Sequence, residues 1–242
     1  MFSFFKKKTH VDHVEWLGVD MHSHLLPGID DGAVDVGTSV SLIKGLSELG
    51  FHKFICTPHI FTELYPNTPE SIDGALSLTT AALKKEGVDI QIAAAAEYMI
   101  DETFKIDEAL MCMPNKHILI EMSYLSESPQ IEQVIFDLQI EGFTVILAHP
   151  ERYNFYHKNE KRYHRFKDMK VLFQLNLLAV TGYYGKEVKM AAEYLLKKGF
   201  YDLSATDLHH DKHLEVLTDY TRSGLLHKSI GGYEFKNLEL FK

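Results

Sequence analysis

Residues 17–24 read Leu-Gly-Val-Asp-Met-His-Ser-His, an apolar run of strand length that leads into Asp20, His22 and His24. Residues two apart in an extended chain point to the same side, so His22 and His24 are expected to share one direction. This combination of a short apolar strand with metal-binding or acid–base side chains at its end decides our prediction of the fold, because it recurs along the chain.

Seven segments have the apolar or β-branched composition and the polar, glycine or proline boundaries of short strands. They are residues 17–21, 53–57, 90–96, 118–122, 144–148, 171–177 and 201–206. Six of the seven present His, Asp or Glu at or near their carboxyl ends. The exception is the segment 171–177.

Amphipathic helical patterns alternate with these segments at residues 36–49, 70–85, 130–141, 158–167, 186–198 and 212–223. Such alternation predicts right-handed crossovers and a parallel sheet, either open or closed into a barrel. In an open sheet the polar strand ends would spread along one edge, whereas in a barrel they meet at the face where active sites are built. We therefore predict an α/β fold, a distorted TIM-like (β/α)7 barrel.

Composition limits the architecture and the function. The 242 residues contain no internal repeat or Pro/Gly/Ser-rich linker, so we predict one domain over residues 1–242, with residues 1–15 as an N-terminal extension. A formal net charge of −9 argues against nucleic acid as a partner.

No apolar run has the about 18–20 residues of a membrane span, and no secretory signal is evident, so we expect a cytoplasmic protein that is not transmembrane. The Phe- and Lys-containing segment 1–8 could touch a membrane surface weakly or be a frayed end.

The chain contains 14 His but only two Cys, so a metal site would use imidazole nitrogen and carboxylate oxygen. This donor set suits Mn, Fe or Zn rather than a thiolate zinc site. Glu121 lies within an apolar strand, where an unpaired carboxylate is costly, and Lys53 is the only inward cation that the predicted strands offer. We interpret nine residues as candidate ligands, too many for one ion and therefore indicating two or three: His22, His24, Asp31, His59, Glu97, Glu121, His149, Asp207 and His209.

Seven motifs together resemble the PHP (polymerase and histidinol phosphatase) superfamily. Within it they resemble the bacterial metal-dependent protein-tyrosine phosphatases of capsule and exopolysaccharide synthesis. The motifs are residues 20–24, 28–32, 57–59, 96–98, 119–121, 148–153 and 206–209, so the resemblance covers nearly the whole chain. It implies the PHP fold, a distorted seven-stranded barrel, in agreement with the strand count above.

The resemblance also implies roles for individual residues. One ion is expected on His22, His24, Glu97 and Asp207, a second on Glu97, Glu121 and His149 with Glu97 bridging, and a third on Asp31, His59 and His209. Arg152 matches an arginine that binds the substrate phosphate and serves catalysis, and Lys212 would add a distal charge for substrate binding. The expected cofactor is manganese, with iron or zinc as alternatives. The implied partner is a phosphotyrosine protein, a membrane-associated bacterial tyrosine kinase.

We expect hydrolysis of a phosphomonoester by a hydroxide that bridges two ions and attacks phosphorus in line. The sequence contains no Cys-x5-Arg phosphatase loop, so a phosphocysteine intermediate is not expected. Three alternatives stay open: a histidinol-phosphate phosphatase of the same superfamily, another barrel metallohydrolase of the amidohydrolase type, and a non-catalytic, metal-stabilised scaffold that binds a membrane kinase. Eight aromatic residues near the expected mouth could hold a phosphotyrosine ring or simply pack in loops: Phe61, Tyr65, Tyr98, Tyr153, Phe155, Tyr156, Tyr183 and Tyr184.

Overall fold

The computed structural model describes residues 10–107, 109–157 and 159–242, and these contain nine short strands. The strands are β1 (Val19–Asp20), β2 (Lys53–Cys56), β3 (His59–Ile60), β4 (Gln91–Ala94), β5 (Glu97–Met99), β6 (His117–Glu121), β7 (Thr144–Ala148), β8 (Leu172–Asn176) and β9 (Leu203–Ala205). Every pairing between these strands is parallel, as the alternation of strands and helices predicts.

The strands form a three-stranded sheet in the order β1-β2-β4 and a six-stranded sheet in the order β3-β5-β6-β7-β8-β9. The division arises because two of the predicted strands are interrupted. Pro58, which has no N–H to donate, separates β2 from β3, and residues 95–96 separate β4 from β5. Backbone hydrogen bonds cross these breaks, from Ala95 N–H to the Cys56 carbonyl at 2.8 Å and from Glu97 N–H to the Pro58 carbonyl at 3.1 Å. The two sheets are therefore consecutive parts of one wall.

The first and last segments close this wall into a ring. Just beyond β9, the Asp207 N–H donates to the His22 carbonyl at 2.8 Å. The buried Asp20 carboxylate accepts hydrogen bonds from the Thr206 N–H at 2.9 Å and from the Thr206 hydroxyl at 2.6 Å. The prediction of a distorted seven-stranded α/β barrel is confirmed, and the distortion lies at the breaks in its second and third strands.

The described residues form nine α-helices. They are α1 (Val36–Leu49), α2 (Pro69–Lys85), α3 (Ile131–Ile140), α4 (Lys161–Asp168), α5 (Leu177–Thr181), α6 (Lys186–Lys198), α7 (Asp211–Arg222), α8 (Leu225–Ile230) and α9 (Asn237–Phe241). The predicted helices 36–49 and 186–198 agree residue for residue, and the other four agree within three residues at each end; Lys158, the predicted start of one, lies outside the described residues. Sequence analysis did not predict α5, α8 and α9, because five or six residues carry too little periodicity.

Helix ends follow local side-chain chemistry. The Asp35 carboxylate accepts the Thr38 N–H at 2.7 Å and caps the start of α1, which ends at Gly50 in the left-handed conformation with φ 116°. Thr68 caps α2 and precedes Pro69, whose absent N–H needs no partner in the first turn.

The barrel interior is apolar below the polar strand ends. Buried residues from alternate strand positions, such as Leu119 and Ile146, form an inner cluster distinct from the larger core around it. The C-terminal helix α9 closes the opposite end, where Phe241 joins the inner cluster. The Asn237 side chain accepts the Ser204 N–H at 3.0 Å and anchors the helix there. The polar strand ends therefore lie above a packed floor.

Residues 1–9 lie outside the described residues, and with them the whole segment 1–8 and much of the proposed extension 1–15. Within that extension Val14 is buried, and its N–H donates to the Leu49 carbonyl at 2.7 Å. Within the part of the chain that the structure describes, no helix combines the length and apolar character needed to cross a membrane.

Candidate metal centre

The nine candidate ligands converge at the carboxyl-terminal face of the barrel. They come from the ends of β1, β6, β7 and β9, from the starts of β3 and β5, and from the loop after β1. Their donor atoms form four overlapping groups, each with all atoms within 4.8 Å of one another: His24, Asp31, His59 and His209; His22, His24 and Asp207; His22, Glu97 and His149; and His59, Glu97 and Glu121.

The imidazole of His22 has a fixed orientation and tautomer. On β8, Gln174 donates its Nε2 to the Leu175 carbonyl at 2.7 Å and accepts the His149 N–H through Oε1 at 3.2 Å. Because Oε1 is an acceptor, His22 Nδ1, which lies 3.0 Å away, must be the protonated nitrogen that donates to it. The neutral ring therefore keeps a lone pair on Nε2, on the side of the other ligands.

Asp30 orients His24 in the same way. The Asp30 Oδ2 atom lies 2.8 Å from His24 Nδ1, so this N–H donates to the carboxylate and the lone pair lies on Nε2. The Nε2 atoms of His22 and His24 are 3.3 Å apart. Two lone pairs at this separation repel unless a cation or proton lies between them, and donor atoms that share one cation at about 2 Å lie about 3 Å apart.

The surroundings of the Glu97 carboxylate show whether a metal ion fits these residues. Its Oε2 is buried and has no hydrogen-bond donor among the described residues. This oxygen lies 3.2 Å from His22 Nε2, 3.4 Å from His24 Nε2 and 3.2 Å from His59 Nδ1. A buried carboxylate oxygen that faces imidazole lone pairs is stabilised only by a shared positive charge. The donor set therefore fits a divalent metal ion.

The other oxygen of Glu97 faces a second set of donors. Its Oε1 lies 3.2 Å from His149 Nε2, and the same nitrogen is 4.0 Å from Glu121 Oε2. Glu121 Oε1 in turn lies 2.9 Å from His59 Nδ1. Glu97 thus has imidazole nitrogens beside both of its oxygens, as a carboxylate shared between two neighbouring cations requires.

The third set is the most open. Asp31 Oδ1 lies 3.4 Å from His59 Nε2 and 3.5 Å from His209 Nε2, and the Asp31 side chain is 50% exposed. His209 donates its Nδ1–H to the Asp207 carbonyl at 2.9 Å, so its Nε2 lone pair is free to bind a cation on the Asp31 side.

Charge coupling controls how the cluster titrates. Burial lowers the pKa of His22, but Glu97 and Asp207 outweigh it, and the pKa lies above its ordinary value. Burial raises the pKa of Glu97, but positive charge on His22 when that ring is protonated, together with the His149 Nε2 contact to Oε1, brings it well below its usual range. Protons and metal ions therefore compete for the same imidazole nitrogens.

Arg152 lies beside the cluster, at the end of the 3-10 helix Pro150–Arg152. Its Nη1 donates to Asp207 Oδ2 at 2.7 Å. The guanidinium lies between the rings of Tyr124 and Tyr184, 4.5 and 4.2 Å from their centres. These two cation–π contacts and the charged hydrogen bond hold the guanidinium plane in one orientation.

The two carboxylate oxygens of Asp207 have different partners. Oδ1 lies within 3.4 Å of the Nε2 atoms of His22 and His24. Oδ2 accepts hydrogen bonds from Arg152 and, at 2.7 Å, from the Asn176 side-chain amide. One carboxylate therefore links the candidate metal ligands to the candidate phosphate-binding arginine.

A cavity of about 230 Å³ lies over the cluster, and its lining includes Arg152, Tyr65, Tyr124 and seven of the nine candidate ligands. Lys212 does not line this cavity. It is exposed on α7, with Nζ 5.8 Å from the centre of the Tyr183 ring. Its assignment to substrate binding stays a prediction that concerns only distal parts of a substrate.

Sequence analysis missed the side chains that orient the ligands. Gln174 and Asn176 lie on β8, the one predicted strand without a terminal His, Asp or Glu. The sequence analysis took Asp31 as a candidate ligand but gave its neighbour Asp30 no role. It did not include Tyr124 among the aromatic residues near the expected mouth. The presence of two amide side chains at alternate positions of an otherwise apolar strand could have indicated that they orient other polar groups, because buried amides need hydrogen-bond partners.

Together, the fold and this cluster define an α/β-barrel protein with a set of metal-type ligands at its carboxyl-terminal face. The family model described as "Capsular polysaccharide synthesis, CpsB/CapC" matches residues 18–223, and the chain belongs to this family. The chain is 28% identical over 198 residues to the tyrosine-protein phosphatase YwqE of Bacillus subtilis, covering 80% of this chain and 78% of YwqE. It is 27% identical over 201 residues to the tyrosine-protein phosphatase CpsB of Streptococcus pneumoniae, covering 79% and 83%.

Solved structures give the same relationship. One solved structure comes from a study of YwqE of Bacillus subtilis and CpsB of Streptococcus pneumoniae, which it describes as unique metal-dependent tyrosine phosphatases. The present chain superimposes on it with a TM-score of 0.80 and 26% identity, covering 92% of this chain and 90% of that chain. The lactonase Lmo2620 of Listeria monocytogenes matches with a TM-score of 0.55 and 15% identity, covering 94% of this chain and 92% of the lactonase, and this likeness concerns the fold alone.

Metal affinity is expected to increase as the pH rises through the neutral range. Because the folded-state pKa of His22 is raised, the metal-free protein holds a proton there below that pKa, and the proton must leave when a cation binds. Calorimetric titration with Mn²⁺ or Zn²⁺ in buffers of different ionisation enthalpy should show proton release on binding. The Kd for the metal should decrease as the pH rises. A Kd that does not change with pH, without proton release, would place metal binding elsewhere.

The variant Glu97→Gln is expected to lose bound metal, because an amide of the same shape has no negative charge to share between cations. Glu151→Gln is the matched control: Glu151 is also fully buried, but burial raises its pKa to about 7, and its carboxylate accepts the Asn176 N–H and the Tyr201 hydroxyl. Elemental analysis should find less metal in the Glu97 variant only. Equal metal content in both variants and the wild type would exclude Glu97 as a ligand.

Proposed function

We propose that this chain is a metal-dependent phosphomonoester hydrolase that acts as a protein-tyrosine phosphatase. The observation that carries the proposal is a buried Glu97 oxygen that has no donor within the described part of the chain, is faced by imidazole nitrogens and shares a cavity with the Arg152 guanidinium. Sites that bind metal cations beside an arginine suit a substrate with a dianionic phosphate. Membership of the CpsB/CapC family and the names of the similar proteins support the same activity.

We assign the nine ligands to two or three divalent ions, with Glu97 shared. Following the family resemblance, His22, His24, Glu97 and Asp207 would hold one ion; Glu97, Glu121 and His149 a second; and Asp31, His59 and His209 a third. The donor groups of the structure overlap these sets but place Glu97 with His22 and His149 and with His59 and Glu121. The mixed nitrogen and carboxylate donors suit manganese, with iron or zinc as alternatives. When bound, such ions would lower the pKa of water and supply hydroxide as the nucleophile at neutral pH.

The residues of the chain supply position and charge. Arg152 uses one N–H on Asp207, and its remaining donors are available for the oxygens of a phosphate. Because Tyr124 and Tyr184 hold the guanidinium, little reorganisation is needed when the substrate phosphate arrives. Tyr65 and Phe61 line the cavity and offer aromatic surface to a phosphotyrosine ring. A phenolate leaves more readily than an alkoxide, so this substrate makes the smaller demand for a general acid.

We propose that the physiological substrate is a phosphotyrosine protein of capsular or exopolysaccharide synthesis, namely a membrane-associated bacterial tyrosine kinase. The family description, capsular polysaccharide synthesis, supports this context. The chain would act on the cytoplasmic side of the membrane, where a kinase has access to ATP. The role of Lys212 in binding distal parts of this substrate belongs to the same proposal.

The alternative functions have less support. The similar proteins are tyrosine phosphatases, so histidinol phosphate is not favoured as the substrate. Among the described residues, no lysine lines the cavity, which argues against an amidohydrolase-type centre built around a lysine. A scaffold without catalytic activity would not need Arg152 held by two aromatic rings beside the candidate ligands.

Arg152→Ala is expected to reduce kcat/KM for a phosphotyrosine peptide about 100- to 1,000-fold, because a charged donor to the phosphate is removed. Metal content should stay unchanged, since the arginine donates to Asp207 Oδ2, whereas Oδ1 is the oxygen that faces the imidazole nitrogens. Arg165→Ala is the control, because Arg165 is exposed on α4 and pairs with Glu132. An Arg152 variant with wild-type turnover would remove the arginine from the mechanism.

The metal-loaded enzyme is expected to prefer a phosphotyrosine peptide to histidinol phosphate in kcat/KM. Hydrolysis should stop when a chelator removes the metal and return when Mn²⁺ is added back. Preference for histidinol phosphate would favour the alternative function. Hydrolysis that persists after complete removal of metal would contradict the proposed role of the ligands.

A further inference from the structure

A second concave surface opens beside the metal cavity. It is a groove of about 520 Å³, more than twice the volume of the cavity over the ligands. Phe61, Met99 and Tyr124 line both spaces and so form the wall between them. A polypeptide that places a phosphorylated side chain in the metal cavity can therefore extend across this wall into the groove.

The groove has a mainly apolar lining, and hydrogen bonds connect its sides. Its two sides are residues 99–102 and residues 123–130. The Gln130 side-chain amide donates to the Asp101 carbonyl and ties the two sides together, and the Ile100 N–H donates to the Glu121 carbonyl at 2.9 Å. Leu125, on one side of the groove, is 92% exposed. A concave, mainly apolar surface is typical of a ligand-binding site.

The charges around the groove are negative. Asp101, Glu102 and Glu127 line it. Arg162 pairs with Glu127, and Asp101 accepts the Thr103 N–H at 2.8 Å, whereas the Glu102 side chain is exposed. The groove therefore favours an apolar side chain and disfavours an acidic one.

We propose that this groove is a substrate subsite that binds the apolar side chain two residues away from the phosphotyrosine. The inference rests on the proposed function. In an extended peptide, residues two apart point to the same side and lie about 7 Å apart, so both side chains face the enzyme. The residue directly next to the phosphotyrosine points away. Sequence preference then comes from the groove, while the metal cavity provides the chemistry.

The test uses the full-length, metal-loaded protein and synthetic phosphotyrosine peptides. The reference peptide has alanine at all flanking positions, and the others place one leucine either two residues from the phosphotyrosine, on each side in turn, or directly next to it. Leucine two residues away, on one of the two sides, is expected to raise kcat/KM about tenfold, mainly through KM, because the added methylene groups are buried in the groove. Leucine in the adjacent position should have no such effect, and aspartate in place of the favoured leucine should lower kcat/KM.

Two variants connect the preference to the groove. Leu125→Asp puts a charge on its exposed side, and Ser126→Trp fills it; each should bring the ratio of kcat/KM for the leucine and alanine peptides close to one. Leu78→Asp is the matched control, because Leu78 is 59% exposed on α2 and does not line the groove; it should keep the wild-type ratio.

The possible failures are distinguishable. If the wild type hydrolyses all peptides with the same kcat/KM, or if the preference survives in both groove variants, the subsite is wrong and the proposed function stands. If the wild type with metal hydrolyses none of the phosphotyrosine peptides, the proposed function is wrong, and this inference falls with it.

Discussion

The rest of the site depends on one constraint: buried carboxylate oxygens and imidazole lone pairs face one another without enough protons to satisfy them. Gln174 and Asp30 hold the N–H groups of His22 and His24, so the remaining nitrogen of each neutral ring offers only a lone pair. Glu97 Oε2 faces both nitrogens and has no donor of its own among the described residues. Positive charge must enter this space, as protons or as metal ions, and the donor geometry suits metal ions.

The scaffold keeps this arrangement at a cost. His149 and Asp207 have φ values of 34° and 49°, a left-handed conformation that costs about 1–3 kcal/mol for residues other than glycine. Hydrogen bonds from β8 stabilise both residues: the Gln174 oxygen accepts the His149 N–H, and the Asn176 amide donates to the Asp207 carboxylate. The strand without candidate ligands thus holds the two most strained ones, so changes on β8 affect the cluster without touching a metal.

The sequence predicted the parts of the fold and site that depend on residue type and period. The positions of His22, His24 and Glu121 at or near the carboxyl ends of predicted strands were enough to place polar groups at one end of the barrel, because parallel barrel strands all end at the same face. The breaks at Pro58 and at residues 95–96 were not predicted, since they depend on how the curved wall pairs across neighbouring strands. Tyr124 and the groove were missed for a related reason: a loop sequence does not reveal which distant loop it faces.

Tyr124 links recognition to chemistry. Its ring contacts the Arg152 guanidinium on one side, its hydroxyl lies 3.4 Å from His149 Nε2, and its side chain forms part of the wall between the metal cavity and the apolar groove. Under the proposed function, a side chain bound in the groove packs against the same residue that orients the phosphate-binding arginine. Because the arginine is already held before the substrate arrives, binding energy from a part of the substrate remote from phosphorus strengthens substrate binding beside Arg152 and is expected mainly in KM.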